Sequence, residues 1–143
     1  MNTNEIEQAF LETNYIIHLQ GEIVLRIGEI PADLMAQIPL LETWAFIKAW
    51  NPLPDILSKA ENELRNAALQ NHLIDHSYTV HNGIGVSKDQ TWSEESFFIE
   101  NISLKDARQA SAKFGQLAFV FGDRKNGNQL VFTMDLLTVK VLA

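Results

Sequence analysis

The sequence predicts an α+β fold: a mainly antiparallel sheet with two helices on one face. The order is that of a ferredoxin-like split β-α-β unit, with an N-terminal hairpin added. Three observations lead there. From residue 44 onward, apolar or β-branched segments alternate with helical ones as strand, helix, strand, strand, helix, strand, strand. Two helix starts carry capping signals, Ser58-Lys-Ala-Glu61 and Ser103-Leu-Lys-Asp106. Upstream, two β-branched runs meet at Gln20-Gly21. A chain of 143 residues, 46% of them hydrophobic, can bury one core and is too short for two ordinary domains. It therefore reads as a single domain over 1–143, with an extension at 1–43, a core at 44–133 and a closing strand within 134–143.

Taken in order, residues 4–12 place Ile6, Ala9 and Phe10 on one side of a short helix. Tyr15–Leu19 and Glu22–Ile27 form the hairpin, with Ile23, Leu25 and Ile27 on one face. It either extends the sheet or stands as a flap. Pro31–Leu40 is a connector with a helical turn at 32–37. Trp44–Trp50 is mostly apolar and reads as a buried strand, ended by Asn51-Pro52 because a residue before proline is pushed from helical geometry.

The Ser58 cap starts a helix over 59–74, whose Ala60, Leu64, Ala67, Ala68 and Ile74 are expected to pack on the sheet. Its opposite face holds Asn62, Asn66, Leu69 and Leu73, for which the hairpin is the expected cover. Ser77–His81 and Glu95–Glu100 read as strands. Gly83, Gly85 and Lys88-Asp-Gln between them suggest a long mobile loop. In the second helix Leu104, Ala107, Ala110, Ser111 and Phe114 share a face, and Gly115 suits the left-handed position after its end. Leu117–Phe121 and Gln129–Met134 pair through a turn at Gly122…Asn126-Gly127, and Leu136–Val141 gives the last strand.

Charge and composition narrow the function. The net charge is −7, and residues 1–43 hold seven acids against the single base Arg26. An acidic chain gains nothing from counterion release, so nucleic acid is a poor partner, and an anionic membrane surface repels it. A basic partner protein could be steered to the acidic front half, although acidity also serves solubility alone. The first residues lack a signal-peptide pattern and no apolar run is long enough to span a membrane, so a cytoplasmic location is expected. With no cysteine there is no disulfide or thiolate site.

The candidate binding residues are Trp50, Asn51, Asn62, Asn66, Glu94 and Gln116. Amides and a carboxylate offer fixed donors and acceptors, and tryptophan offers a stacking face, so the set could hold a nucleobase, an amide or a short peptide. The alternative is architectural: Asn51 caps the loop, while Asn62 and Asn66 tie the N-terminal segment to the domain through backbone hydrogen bonds. His72 and His76 have the i, i+4 spacing, but the helix is expected to end before His76 and no glutamate follows a histidine, so His72, His76, His81 and Asp75 read as solvated side chains and no metal or cofactor is expected. Glu94 is the weak candidate for acid–base work, with His81 able to approach it across the hairpin. Trp92 is either an exposed interface anchor or folded onto the core.

Trp44-Ala-Phe-Ile-Lys-Ala-Trp-Asn-Pro52, the spaced Asn62, Asn66 and Leu69, Glu94 before Ser96-Phe97, and Phe114-Gly115-Gln116 follow in one order. Over about 44–133 the chain thereby resembles the bacterial domain of unknown function 3293 family. Lys48 stands where that pattern has a small or hydroxylated residue, Glu95 where it has proline, and residues 1–43 fall outside it. The resemblance implies a domain and no reaction. The leading expectation is a small binding or interaction module using the amide-rich patch, its partner an unidentified protein or small molecule. The alternatives are an enzyme acting on a nucleotide-like molecule with Glu94 as acid/base, and a homo-oligomer subunit joined through strand edges.

Overall fold

The structure is a computed structural model that describes residues 3–52 and 55–133. The expected strand at Leu136–Val141 lies outside the described residues. The fold is α+β, with helices α1 (Thr3–Glu12), α2 (Ala32–Gln37), α3 (Lys59–Asp75) and α4 (Leu104–Lys113). The strands are β1 (Asn14–Leu19), β2 (Gly21–Leu25), β3 (Thr43–Ile47), β4 (Thr79–Val86), β5 (Ser93–Glu100), β6 (Ala118–Asp123) and β7 (Gly127–Phe132). They make one sheet, ordered β2-β1-β4-β5-β3-β6-β7, in which every neighbouring pair is antiparallel.

The N-terminal hairpin extends the sheet. Ile17 of β1 lies opposite Gly83 of β4, and Ile16 opposite Ile84. A side chain at Gly83 would come within 2.7 Å of the Ile16 carbonyl and 2.8 Å of the Phe46 ring. That glycine therefore serves close approach of two strands, not flexibility. The expected mobile loop is corrected accordingly: β4 runs through both glycines, and only residues 87–92 connect it to β5. That connection is pinned. The Ser87 amide donates to the Trp92 carbonyl (2.8 Å), and Asp89 Oδ1 accepts from the hydroxyls of Thr91 (2.7 Å) and Ser87 (2.8 Å). The Thr91 hydroxyl and amide, then the Ser87 hydroxyl, hold the Asp89 carboxyl down at about 2.

The two ends of the sheet meet. Beyond β2, the Gly28 amide donates to the Asn128 carbonyl (2.7 Å), and the Asn128 amide donates to the Glu29 carbonyl (3.0 Å). Arg124 adds donors to the carbonyls of Leu41, Ile38 and Pro39. A side chain at Gly127 would overlap the Glu29 carbonyl, so the seam needs glycine there.

Alternation along the strands sorts the core into two main clusters. Trp44, Phe46 and Phe98 pack with Tyr15, Ile17, Ile23, Leu25, Leu34, Leu41 and Val120. Ala45, Ile47, Phe97, Ile99 and Phe119 pack with Leu69 and Leu73 of α3 and with Ala107 and Ala110 of α4. In the first cluster the Trp44 indole N–H donates to Asn128 Oδ1 (2.8 Å), and Asn128 Nδ2 donates to the Arg26 carbonyl (3.1 Å). One buried amide thus joins the middle strand to the seam.

Both Ser caps form as expected, Ser58 accepting from the Glu61 amide and Ser103 from the Asp106 amide. The face of α3 is the reverse of the expected one. Asn62, Asn66, Leu69 and Leu73 are buried, whereas Ala60, Leu64, Ala67, Ala68 and Ile74 are exposed. Burying a leucine gains about 1.5–3 kcal/mol. Alanine gains little by burial and, as the best helix former, costs nothing when exposed. The hairpin does not cover the two leucines; the strands do. On α4, Ala107, Ala110, Ser111 and Phe114 are buried, but Leu104 is exposed. Gly115 adopts φ +70° at the helix exit.

Candidate functional site

The strand expected to reach Trp50 ends at Ile47, because the next buried amide, that of Ala49, is taken by a side chain. Asn66 Oδ1 accepts from it (2.8 Å), while Asn66 Nδ2 donates to the Glu95 carbonyl of β5 (2.9 Å). One turn earlier on α3, Asn62 Oδ1 accepts from the Asn51 amide (2.7 Å), and Asn62 Nδ2 donates to Asn51 Oδ1 (2.8 Å). Asn51 Oδ1 also accepts from the Leu57 amide (2.9 Å). Asn51 itself has φ +45°, a conformation asparagine tolerates better than most residues. Its side chain stands in for the backbone partners that the corner between β3 and α3 lacks.

The cluster continues into charge. Asn51 Nδ2 donates to Glu94 Oε2 (3.1 Å), and Lys48 Nζ pairs with Glu94 Oε1. The Glu94 side chain is 3% exposed and that of Lys48 22%. Lys48 Nζ lies 5.2 Å from the centroid of the exposed Trp92 ring, a cation–π distance. Burial pulls the Lys48 ammonium down to about 8, since loss of hydration disfavours its charge. Each Glu94 oxygen has one partner, Lys48 on Oε1 and Asn51 on Oε2.

Of the six nominated residues, Asn51, Asn62 and Glu94 stand in direct contact. Asn66 joins them through Ala49 and Glu95. Gln116 Nε2 donates to the Trp50 carbonyl (3.2 Å) and the Phe114 carbonyl (3.3 Å). Trp50 thus enters the cluster through its backbone. Arg65 reinforces the corner by donating Nε to the Ala49 carbonyl (2.8 Å) and Nη2 to the Phe114 carbonyl. The architectural reading had Asn62 and Asn66 binding the N-terminal segment. Their partners are instead Ala49, Asn51, Leu57 and Glu95. The expected approach of His81 to Glu94 is replaced by a His81 Nε2–Glu100 Oε2 contact of 2.5 Å. Among the described residues no group of three or more His, Cys, Asp or Glu side chains could hold a metal ion. Nor is any helix among them long and apolar enough to cross a membrane.

Lys48 and Arg65 were missed as cluster members, and Asn128 as the link between Trp44 and the seam. Lys48 had a signal: a lone lysine inside an apolar run must find a carboxylate or reach solvent. Arg65 and Asn128 act on backbone carbonyls, and no spacing marks that in sequence.

Beside this cluster lies a groove of about 430 Å³ between α3 and the β4–β5 part of the sheet. Glu63, Asn66, Ala67 and Gln70 form its helical wall, and Asn82, Ile84, Glu95 and Phe97 its sheet wall. A cross-strand row of partners continues outward from it: Glu95 opposite Ile84, Ile84 opposite Ile16, and Ile16 opposite Val24. Val24 is 44% exposed.

Together these features define an α+β domain whose polar cluster fastens a strand-to-helix corner and whose open groove lies next to it. The sequence model described as "Protein of unknown function (DUF3293)" matches residues 47–119, and the chain belongs to that family. The match is narrower than the expected 44–133. It includes the asparagines, Glu94 and Phe114-Gly115-Gln116. No curated protein and no solved structure matches the chain.

Proposed function

We propose that this chain is a small binding module whose working surface is the groove beside α3, with the amide cluster as its scaffold. The observation that carries this reading is the division of labour at Asn66. Both ends of its amide are tied to backbone, Oδ1 to Ala49 and Nδ2 to Glu95, yet the same residue lines the groove. A side chain so tied fixes the helical wall against the sheet and leaves Gln70, Asn82 and the edge of Ile84 to meet a ligand. Preorganised walls lower the ordering cost of binding. The domain is read as a ferredoxin-like split β-α-β core, extended at one edge by β1 and β2. The β4-β5-β3-β6 order supports this, as does the common packing of α3 and α4 residues with Ala45, Ile47, Phe97 and Ile99. On that arrangement the two helices lie on one face, and the hairpin provides the floor that extends beyond α3.

The test is amide chemical-shift mapping of the full chain with a panel of neutral, anionic and cationic fragments. Shifts centred on Ala67, Gln70, Asn82 and Ile84 are expected, and Ala67→Trp, which fills the groove from an exposed helix position, should abolish them. A second cleft lies between the end of α3 and α4, lined by His72, Tyr78, Asp106 and Lys113; shifts centred there instead, or shifts that persist in Ala67→Trp, would overturn the reading.

A further inference from the structure

We infer that the groove takes an extended, basic segment of a partner protein, with a cationic side chain seated between Glu63 and Glu95; this rests on the groove being the working surface. The two carboxylates stand on facing walls, Glu63 on α3 and Glu95 on β5, and both are exposed. Among the described residues Glu63 pairs only with Lys59 at 3.5 Å, an exposed pair within one helix and therefore weak. Glu95 has no ion pair among the described residues. Gln70 and Asn82 flank them with further donors and acceptors for a backbone.

The floor decides the kind of cation. Ile84 continues through Ile16 to the exposed Val24, an apolar lane crossing three strands spaced about 4.8 Å apart. That lane extends past the carboxylates further than a free diamine needs, and suits the alternate side chains of an extended chain. Charge points the same way. Residues 1–43, which supply β1 and β2, carry seven acids and one base within a chain of net charge −7. The field around the lane therefore draws a basic partner and repels an acidic one.

The experiment titrates the isotope-labelled full chain with an acetylated and amidated hexapeptide of alternating arginine and valine. A matched peptide with glutamate for arginine, and cadaverine, serve as the other arms. The arginine peptide should shift Ala67, Gln70, Asn82, Ile84 and Val24. Glu63→Gln and Glu95→Gln should each weaken it about threefold, as expected for exposed ion pairs, and its Kd should rise with added salt. Equal binding of the glutamate peptide, or unchanged affinity in both variants, would overturn the basic assignment and leave the groove reading in place. Cadaverine binding as tightly as the peptide would replace the protein segment with a free amine. Neutral fragments that occupy the groove while the arginine peptide does not would overturn this inference alone. Failure of every probe to shift groove amides would overturn both readings.

Discussion

Replacing Asn66 separates a scaffold from an idle buried amide. Asn66→Ala leaves the Ala49 amide without its acceptor and the Glu95 carbonyl without its donor. Each orphaned buried polar group costs about 1–3 kcal/mol, so the loss should be about 2–6 kcal/mol, at the low end if water enters from the groove. Asn66→Asp sharpens the test. Its carboxylate can still accept from Ala49 but opposes the Glu95 carbonyl, whereas the protonated acid can donate to it. The folded pKa of the new carboxyl should therefore lie above its unfolded value of about 3.9. The folded state then binds the extra proton, so stability falls as pH rises through that interval. The Asp variant should be close to wild type near pH 4 and carry its full deficit at about pH 7. Urea unfolding followed by tryptophan fluorescence measures both, with exposed Asn71→Ala as the control. A loss below about 0.5 kcal/mol for Asn66→Ala, the range of ordinary surface changes, would refute the scaffold argument. So would a deficit in Asn66→Asp that ignores pH.

Lys48→Met should cost on the order of 3 kcal/mol by leaving the Glu94 carboxylate buried and uncompensated, and adding Glu94→Gln should recover most of it; the double-mutant cycle in urea reports the coupling. Acylation of Lys48, followed by mass spectrometry, should rise through about pH 8, while that of a free lysine model amine goes on rising toward about 10.4. Since the unfolded chain keeps that proton between these two values, the Lys48 contribution to stability should increase with pH across the same window. Gly122→Ala would drive its methyl into the Trp44 indole and should destabilise by about 1–3 kcal/mol or more. Calorimetry checks this, and an unchanged Tm would mean the indole can shift.

Local signals proved legible where a few adjacent residues decide the outcome. The Ser58 and Ser103 caps, the Gln20-Gly21 hairpin and Gly115 all rest on chemistry within four or five positions. The α3 face did not, because periodicity shows that two faces differ without showing which one is buried. Alanines looked like packing residues, and the asparagines and leucines opposite them looked like a face for the N-terminal hairpin to cover. The outcome reversed because Asn62 and Asn66 find backbone partners far away in sequence, and Leu69 and Leu73 need the strands. Gly83 misled for a related reason. Its meaning depends on Ile16 and Phe46, which lie far from it along the chain. Of the candidate residues, Asn51 bonds to both Asn62 and Glu94, while Asn66, Gln116 and Trp50 join the same corner through backbone groups. Their occupation with the protein's own backbone, and the groove beside them, depend on pairings that no single segment encodes.

The seam at Gly28, Glu29 and Asn128 turns an open ribbon of strands into a loop of mutual constraints. In an open sheet an end strand can slide by one position at the expense of its single neighbour. Here a slip of β2 would also misplace Asn128, and with it the hydrogen bond to the Trp44 indole across the interior. Every register is thus checked from both directions, and the alternation of side chains between the two clusters becomes a property of the whole circuit rather than of any one pair.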